Sequence, residues 1–154
     1  MCTLLSLSIS YSQIIVCDPA LDNPFNDWRP EHIRQGFAWR AGSVSWGVYD
    51  SNLYTIELCF EDQLVVLPHA ERAIVVPFTV PERGLVEIAV VGDSQEVKVN
   101  KGQYALLFQL WRVDANLTWC RLTFVPEQSI QASILRADPE LSPSIPLLME
   151  ADPA

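Results

Sequence analysis

Few residues in this chain are equipped for covalent or acid–base chemistry. The two histidines, His32 and His69, are the available general bases, and the serines and four cysteines are the available nucleophiles. No GxSxG elbow frames a serine. Neither histidine falls in an HxH or HExxH pattern and no EF-hand run occurs, so no metal site is expected. With only 6 glycines there is no phosphate-cradling loop, and no cofactor is expected either. Glu61 and Asp62 are adjacent carboxylates at a strand end, and Glu71 follows after a connection. A glycosidase pair would need a cleft and a defined separation, so these read as a solvated turn. His32 reads as a surface histidine. No catalytic residue is expected.

The five tryptophans allow a different activity. Trp111 and Trp119 fall on strands, opposite the main inward sets. They either cover a second core face or form an aromatic platform, which on a β-sandwich would suit a carbohydrate or another small ligand. A small-ligand or carbohydrate-binding module is therefore the alternative function.

Charge narrows the partners. The formal net charge is −9, which repels phosphate backbones and anionic lipid, so neither direct nucleic-acid binding nor membrane binding is expected. A basic protein is the partner such a surface attracts. No apolar run approaches about 18 residues, and Met1–Ile9 lacks a basic n-region, so neither a spanning helix nor a signal peptide is expected. Cys2, Cys17, Cys59 and Cys120 show no CxxC pairing. The expectation is a cytoplasmic protein with reduced, mostly buried thiols, although sequence alone does not exclude a disulfide.

The positioning elements are mostly strands. Leu5, Leu7, Ile9 and Tyr11 alternate with serines, and Ile14–Val16 are apolar on both faces. Asp18–Asn26 reads as a loop. A short helix follows, with Pro30 in its first turn and Gly36 as its stop, and Ile33, Phe37 and Trp28 are expected to pack it down. Val44, Trp46 and Val48, then Tyr54, Ile56, Leu58 and Phe60 across an Asp50-Ser51-Asn52 turn, read as a β-hairpin. Ala73–Val80 contains Pro77 and reads as an edge strand. Val86, Ile88 and Val90 form an inward set, followed by Val97 and Val99. Tyr104–Val113 reads as the central strand. Thr118–Val125 turns Cys120, Leu122 and Phe124 inward, and Ile130, Ala132 and Ile134 suggest a last strand. The fold class is all-β, an antiparallel sandwich or flattened barrel with one short helix. Residues 1–136 are expected to form a single domain. Residues 137–154 are expected to be a Pro-rich acidic tail, disordered or laid over the body in extended form.

An ordered series of short segments resembles the competence protein J family, the DNA-entry nuclease inhibitors. The segments are LSISYSQIIV near the N-terminus, Trp28 followed by IRQGFA (Ile33–Ala38), SVSW, VPFTV with GLVEI downstream, and KGQYALLF. The resemblance spans roughly Leu5 to Ile134. It implies a non-enzymatic inhibitor of a non-specific, metal-dependent nuclease used in DNA uptake, or of a related toxin nuclease. Carboxylates standing in for phosphates would then fill a positive groove. On physical grounds the partner-binding residues are expected to be Glu61, Asp62 and Glu71 after the hairpin, with Asp93 and Glu96 in a later turn. Asp138 and Glu140, where the tail leaves the body, are weaker candidates.

Overall fold

The computed structural model describes residues 1–7 and 12–154, so Ile9 and Tyr11 of the expected first strand lie outside the described residues. Among the described residues the chain is all-β with one short helix. It divides into two compact units. One comprises residues 1–6, 49–78 and 103–139, and the other residues 7–48, 79–102 and 140–154.

The first unit holds a six-stranded sheet in the order β1-β5-β10-β9-β6-β11. Its members are β1 (Cys2–Leu5), β5 (Leu53–Phe60), β6 (Arg72–Val80), β9 (Gly102–Arg112), β10 (Leu117–Pro126) and β11 (Ser133–Arg136). Strands β9 and β10 form a long hairpin. Strand β5 lies parallel to β10, with Leu53 opposite Leu117 and Phe60 opposite Phe124. Leu106, Phe108 and Leu110 of β9 stand beside Cys120, Leu122 and Phe124 of β10 on one buried face, while Ala105 and Leu107 are buried with Val125 on the other. The Phe124 ring meets Tyr104 and Phe78 edge-on at 5.5 and 6.0 Å. Such aromatic pairs add about 0.5–1.5 kcal/mol beyond the area they bury.

The second unit holds a five-stranded sheet in the order β3-β4-β2-β7-β8. Its strands are β2 (Gln13–Cys17), β3 (Phe37–Arg40), β4 (Ser43–Gly47), β7 (Leu85–Val90) and β8 (Asp93–Lys98). Ile14, Ile15 and Val16 are sealed on both faces, as their unbroken apolar run predicts. Each sheet has two ends, so neither closes into a barrel.

Three local expectations are corrected. Strands β4 and β5 are not a hairpin, because β4 pairs with β2 and β3 while β5 pairs with β1 and β10. The true hairpin joins β3 to β4 through Gly42, whose φ of 85° lies in the left-handed region. Alternation fixes a strand's faces, and it says nothing about the strand's neighbour. Second, β6 lies between β9 and β11 and is not an edge. Pro77 is accommodated because β11 pairs only with Ala73–Val75 and ends before reaching it.

Third, the helix α1 (Pro30–Gln35) begins and ends where predicted, but it buries a different face. Ile33 is 63% exposed, whereas His32 and Gln35 are buried. Six residues are too few to build an apolar stripe. The helix is held instead by polar contacts to the C-terminal segment. His32 Nδ1 accepts the Arg29 amide at 2.9 Å, which leaves Nε2–H to donate to Glu150 O at 2.8 Å. Gln35 exchanges two hydrogen bonds with Leu148. His32 is therefore a buried structural histidine and not a surface one.

Candidate functional site

Strand β5 delivers Glu61 and Asp62. Its ladder with β10 ends as the Glu61 amide donates to Phe124 O at 3.2 Å, and both acidic side chains emerge exposed. The connection that follows is long, but several anchors hold it. Gln109, buried in mid-β9, accepts the Leu67 amide at 2.8 Å through Oε1. Arg136 of β11 donates from Nη1 to Leu67 O at 2.8 Å and Ala70 O at 2.7 Å. Between this connection and the sheet lies a hollow of about 210 Å³, lined by Glu61, Gln63, Val65, Gln109, Arg121 and Thr123. Leu64 and Val65 stay exposed beside it, Val65 at 61%. Apolar side chains left bare inside a polar rim are a mark of protein-binding surfaces.

Glu71 closes the connection and is fully engaged within its unit. Its Oε2 accepts the Arg112 amide at 2.6 Å, and its Oε1 lies 3.5 Å from Arg112 Nη1. The same guanidinium stacks 3.7 Å from the centre of the Tyr49 ring. Tyr49 in turn donates its hydroxyl to Asp138 Oδ2 at 2.6 Å. Burial, reinforced by that hydrogen bond, pushes the Tyr49 phenol well above its ordinary pKa. Asp138 also takes Arg72 Nε at 2.6 Å and Nη2 at 3.2 Å. Asp138 is thus the buried half of an ion pair and not a contact residue, which corrects the weaker expectation. Its position at the start of a strand-poor, acidic stretch gave no hint of burial.

Asp93 and Glu96 belong to the second unit, where β8 carries them exposed. Glu96 stands opposite Glu87 of β7 in the register. Like charges so placed repel, and an approaching cation would relieve the repulsion. Asp93 and Glu87 also line a hollow of about 400 Å³ walled by Pro24, Phe25 and Ala89. Beneath Glu87, the Cys17 thiol donates to its Oε1 at 3.8 Å. Burial and then the Glu87 charge push that thiol up to about 12. The five expected partner-binding carboxylates thus divide three and two between the units.

The residues considered for other chemistry have other occupations. Both His32 ring nitrogens are taken by backbone groups. His69 meets the Trp111 ring edge-on at 4.7 Å, and Trp111 stacks on Trp119 at 6.0 Å. Trp111 is buried and Trp119 half-buried, so they line the sheet and form no open platform. The expectation of wholly reduced thiols is also corrected, because Cys2 and Cys59 form a disulfide while Cys17 and Cys120 are free and buried. The two bonded cysteines face each other across β1 and β5, a register no spacing rule reveals. No helix among the described residues is long and apolar enough to cross a membrane.

An acidic all-β chain with carboxylates and bare apolar side chains raised on a strand end has the make-up of a protein-binding protein. The sequence profile of the competence protein J (ComJ) family matches residues 6–125, and the chain belongs to that family. It is 29% identical over 112 residues to a DNA-entry nuclease inhibitor of Bacillus subtilis (strain 168), a match covering 73% of this chain and 83% of that protein. Its fold is similar to the crystal structure of ComJ, inhibitor of the DNA degrading activity of NucA, from Bacillus subtilis. That likeness has a TM-score of 0.61 and 22% identity over 81% of this chain and 96% of the other.

Proposed function

We propose that this protein is a non-enzymatic inhibitor of a DNA-degrading, metal-dependent nuclease, acting as a protein partner in the cytoplasm. The family membership and the relatives' inhibitory role support the reading. The observation that carries it to particular residues is the end of β5. Glu61 and Asp62 stand exposed at the start of a connection anchored further on at Leu67 and Ala70, beside the bare Leu64 and Val65 and the hollow that Glu61 and Val65 line. A nuclease must offer positive charge to phosphates, and this surface presents the complementary negative charge together with apolar area to exclude water. Asp93 and Glu96 supply a second acidic patch. Glu71 contributes by holding Arg112 and the connection's end in place rather than by free charge.

The test is a DNA-cleavage assay with the nuclease encoded beside this gene. Wild-type protein should suppress cleavage, and raised salt should weaken the suppression. Glu61→Lys with Asp62→Lys should abolish suppression, and Val65→Asp should weaken it. Asp114→Asn, in the exposed turn at the opposite end of β10, keeps its turn-forming Oδ1 and should leave it intact. Undiminished inhibition by the double reversal would remove the β5 end from the interface. Cleavage untouched by the wild-type protein would remove the function.

A further inference from the structure

Cys2 and Cys59 are directly opposed across the β1–β5 pairing, and Glu57 lies two residues before Cys59 on the same face of β5. One ligand atom from each of the three lies within 4.8 Å of the other two. The Glu57 carboxylate is already oriented. Its Oε1 accepts Arg121 Nε at 2.6 Å and Trp119 Nε1 at 3.4 Å, which directs the carboxylate while leaving Oε2 for another bond. Hydrogen bonds of this kind around a ligating carboxylate are what fix metal sites in place.

We propose that, once its disulfide is opened, this cluster is a zinc site formed by the Cys2 and Cys59 thiolates and the Glu57 carboxylate, with water in the fourth position. Opening requires a reductant, here a dithiol. Its two thiols become a disulfide, and their two electrons and two protons pass to the Cys2 and Cys59 sulfurs. Zinc then binds the two sulfurs and releases both protons to solvent. Two thiolates suit zinc and disfavour magnesium or calcium, and three protein ligands with one open position is a common zinc arrangement. The three ligands carry three negative charges against two on the metal. The Arg121 guanidinium, already bound to Glu57, balances the remainder.

The site gives β1 an attachment in either redox state. Four residues of edge strand hold weakly by themselves. In oxidising surroundings the disulfide fastens β1 over the edge of β5, and in a reducing compartment zinc fastens the same two residues.

The test uses the full chain reduced with a phosphine, which unlike a dithiol competes little for metal. Cobalt(II) replaces zinc as an optical probe. One cobalt ion per reduced chain, with a sulfur-to-cobalt charge-transfer band that zinc displaces, is the expected result. The oxidised chain should show no band. The Cys2→Ser, Cys59→Ser double variant should lose it, and Glu57→Gln should bind at least about tenfold more weakly. Hydrogen exchange provides a second readout, in which zinc should slow exchange of the β1 amides in the reduced chain. A reduced wild-type chain with no band overturns the proposal. So does a band that persists in the double variant, which would assign it to Cys17 or Cys120.

Discussion

Arg72 Nε lies 2.6 Å from Asp138 Oδ2, with both side chains all but sealed from solvent. The pair joins β6 to the segment after β11, and Tyr49 is bonded to the same carboxylate oxygen. Removing one partner strands a buried charge. Asp138→Ala should therefore destabilise the protein by about 3–5 kcal/mol. Replacing both members with apolar residues, Arg72→Met with Asp138→Leu, should cost clearly less than the single change. Urea unfolding midpoints of the three proteins decide the matter, and equal losses for the single and double variants would contradict it.

Gly42 turns the chain between β3 and β4 with φ at 85°, and a Cβ there would meet Leu21 Cδ1 at 3.3 Å. Strain and crowding act together at this position. Gly42→Ala should lower stability by about 1–2 kcal/mol, the ordinary cost of a left-handed conformation for an L-residue. Thermal unfolding measures this, and an unchanged midpoint would show that the turn can relax.

The C-terminal segment is fixed through Gln35. That side chain donates to Phe37 O and Leu148 O and accepts from the Leu148 amide. Gln35→Ala leaves these backbone groups without their partner, at a cost of about 1–3 kcal/mol. Amide exchange at Leu148 should accelerate by more than tenfold while the amides of β9 stay protected. A uniform acceleration across the chain would indicate global rather than local opening.

Burial, with the Glu87 charge beside it, raises the Cys17 thiol from the ordinary 9.0 to about 12. A raised folded pKa gives a contribution that is intact below the unfolded value and lost as pH rises through the folded one. The protein should thus lose stability between about pH 9 and pH 12, and Glu87→Gln should draw that loss into a narrower span. Below pH 9, Cys17 should alkylate far more slowly than a free thiol, as peptide mapping after iodoacetamide treatment would register. Rapid labelling of Cys17 at pH 8 in the native protein would refute this.

What the sequence disclosed follows from what local patterns encode. The inward sets of β7 and β10 were legible because alternation marks them, β9 because its long apolar run marks a strand buried on both faces, and α1 was bounded by Pro30 and Gly36, whose backbone preferences are local. Strand partners were not legible. The crossing from β4 to β5 looks like a hairpin turn because nothing within Val48–Leu53 states that the two strands join different sheets. His32 and Asp138 were misplaced for a related reason. Their partners, Glu150 and Arg72, are remote in sequence, and a polar residue with a remote partner looks like any solvated one. The acidic residues at Glu61 and Asp62 were legible as charge at a strand end, but the anchoring of the following connection at Leu67 and Ala70 by Gln109 and Arg136 was not.

The parallel pairing of β5 with β10 also has a consequence for the order of assembly. Strands β9 and β10 meet through a short turn at Asp114–Asn116 and can zip together early. Strand β5 can pair with β1 beforehand, but it reaches β10 only across everything from β6 to β9. Closing so long a loop is entropically slow, so β5 is expected to arrive late. Until it does, only β1 borders the end of that strand, and in a chain emerging from synthesis the surface proposed there would be complete only after β10 has been made.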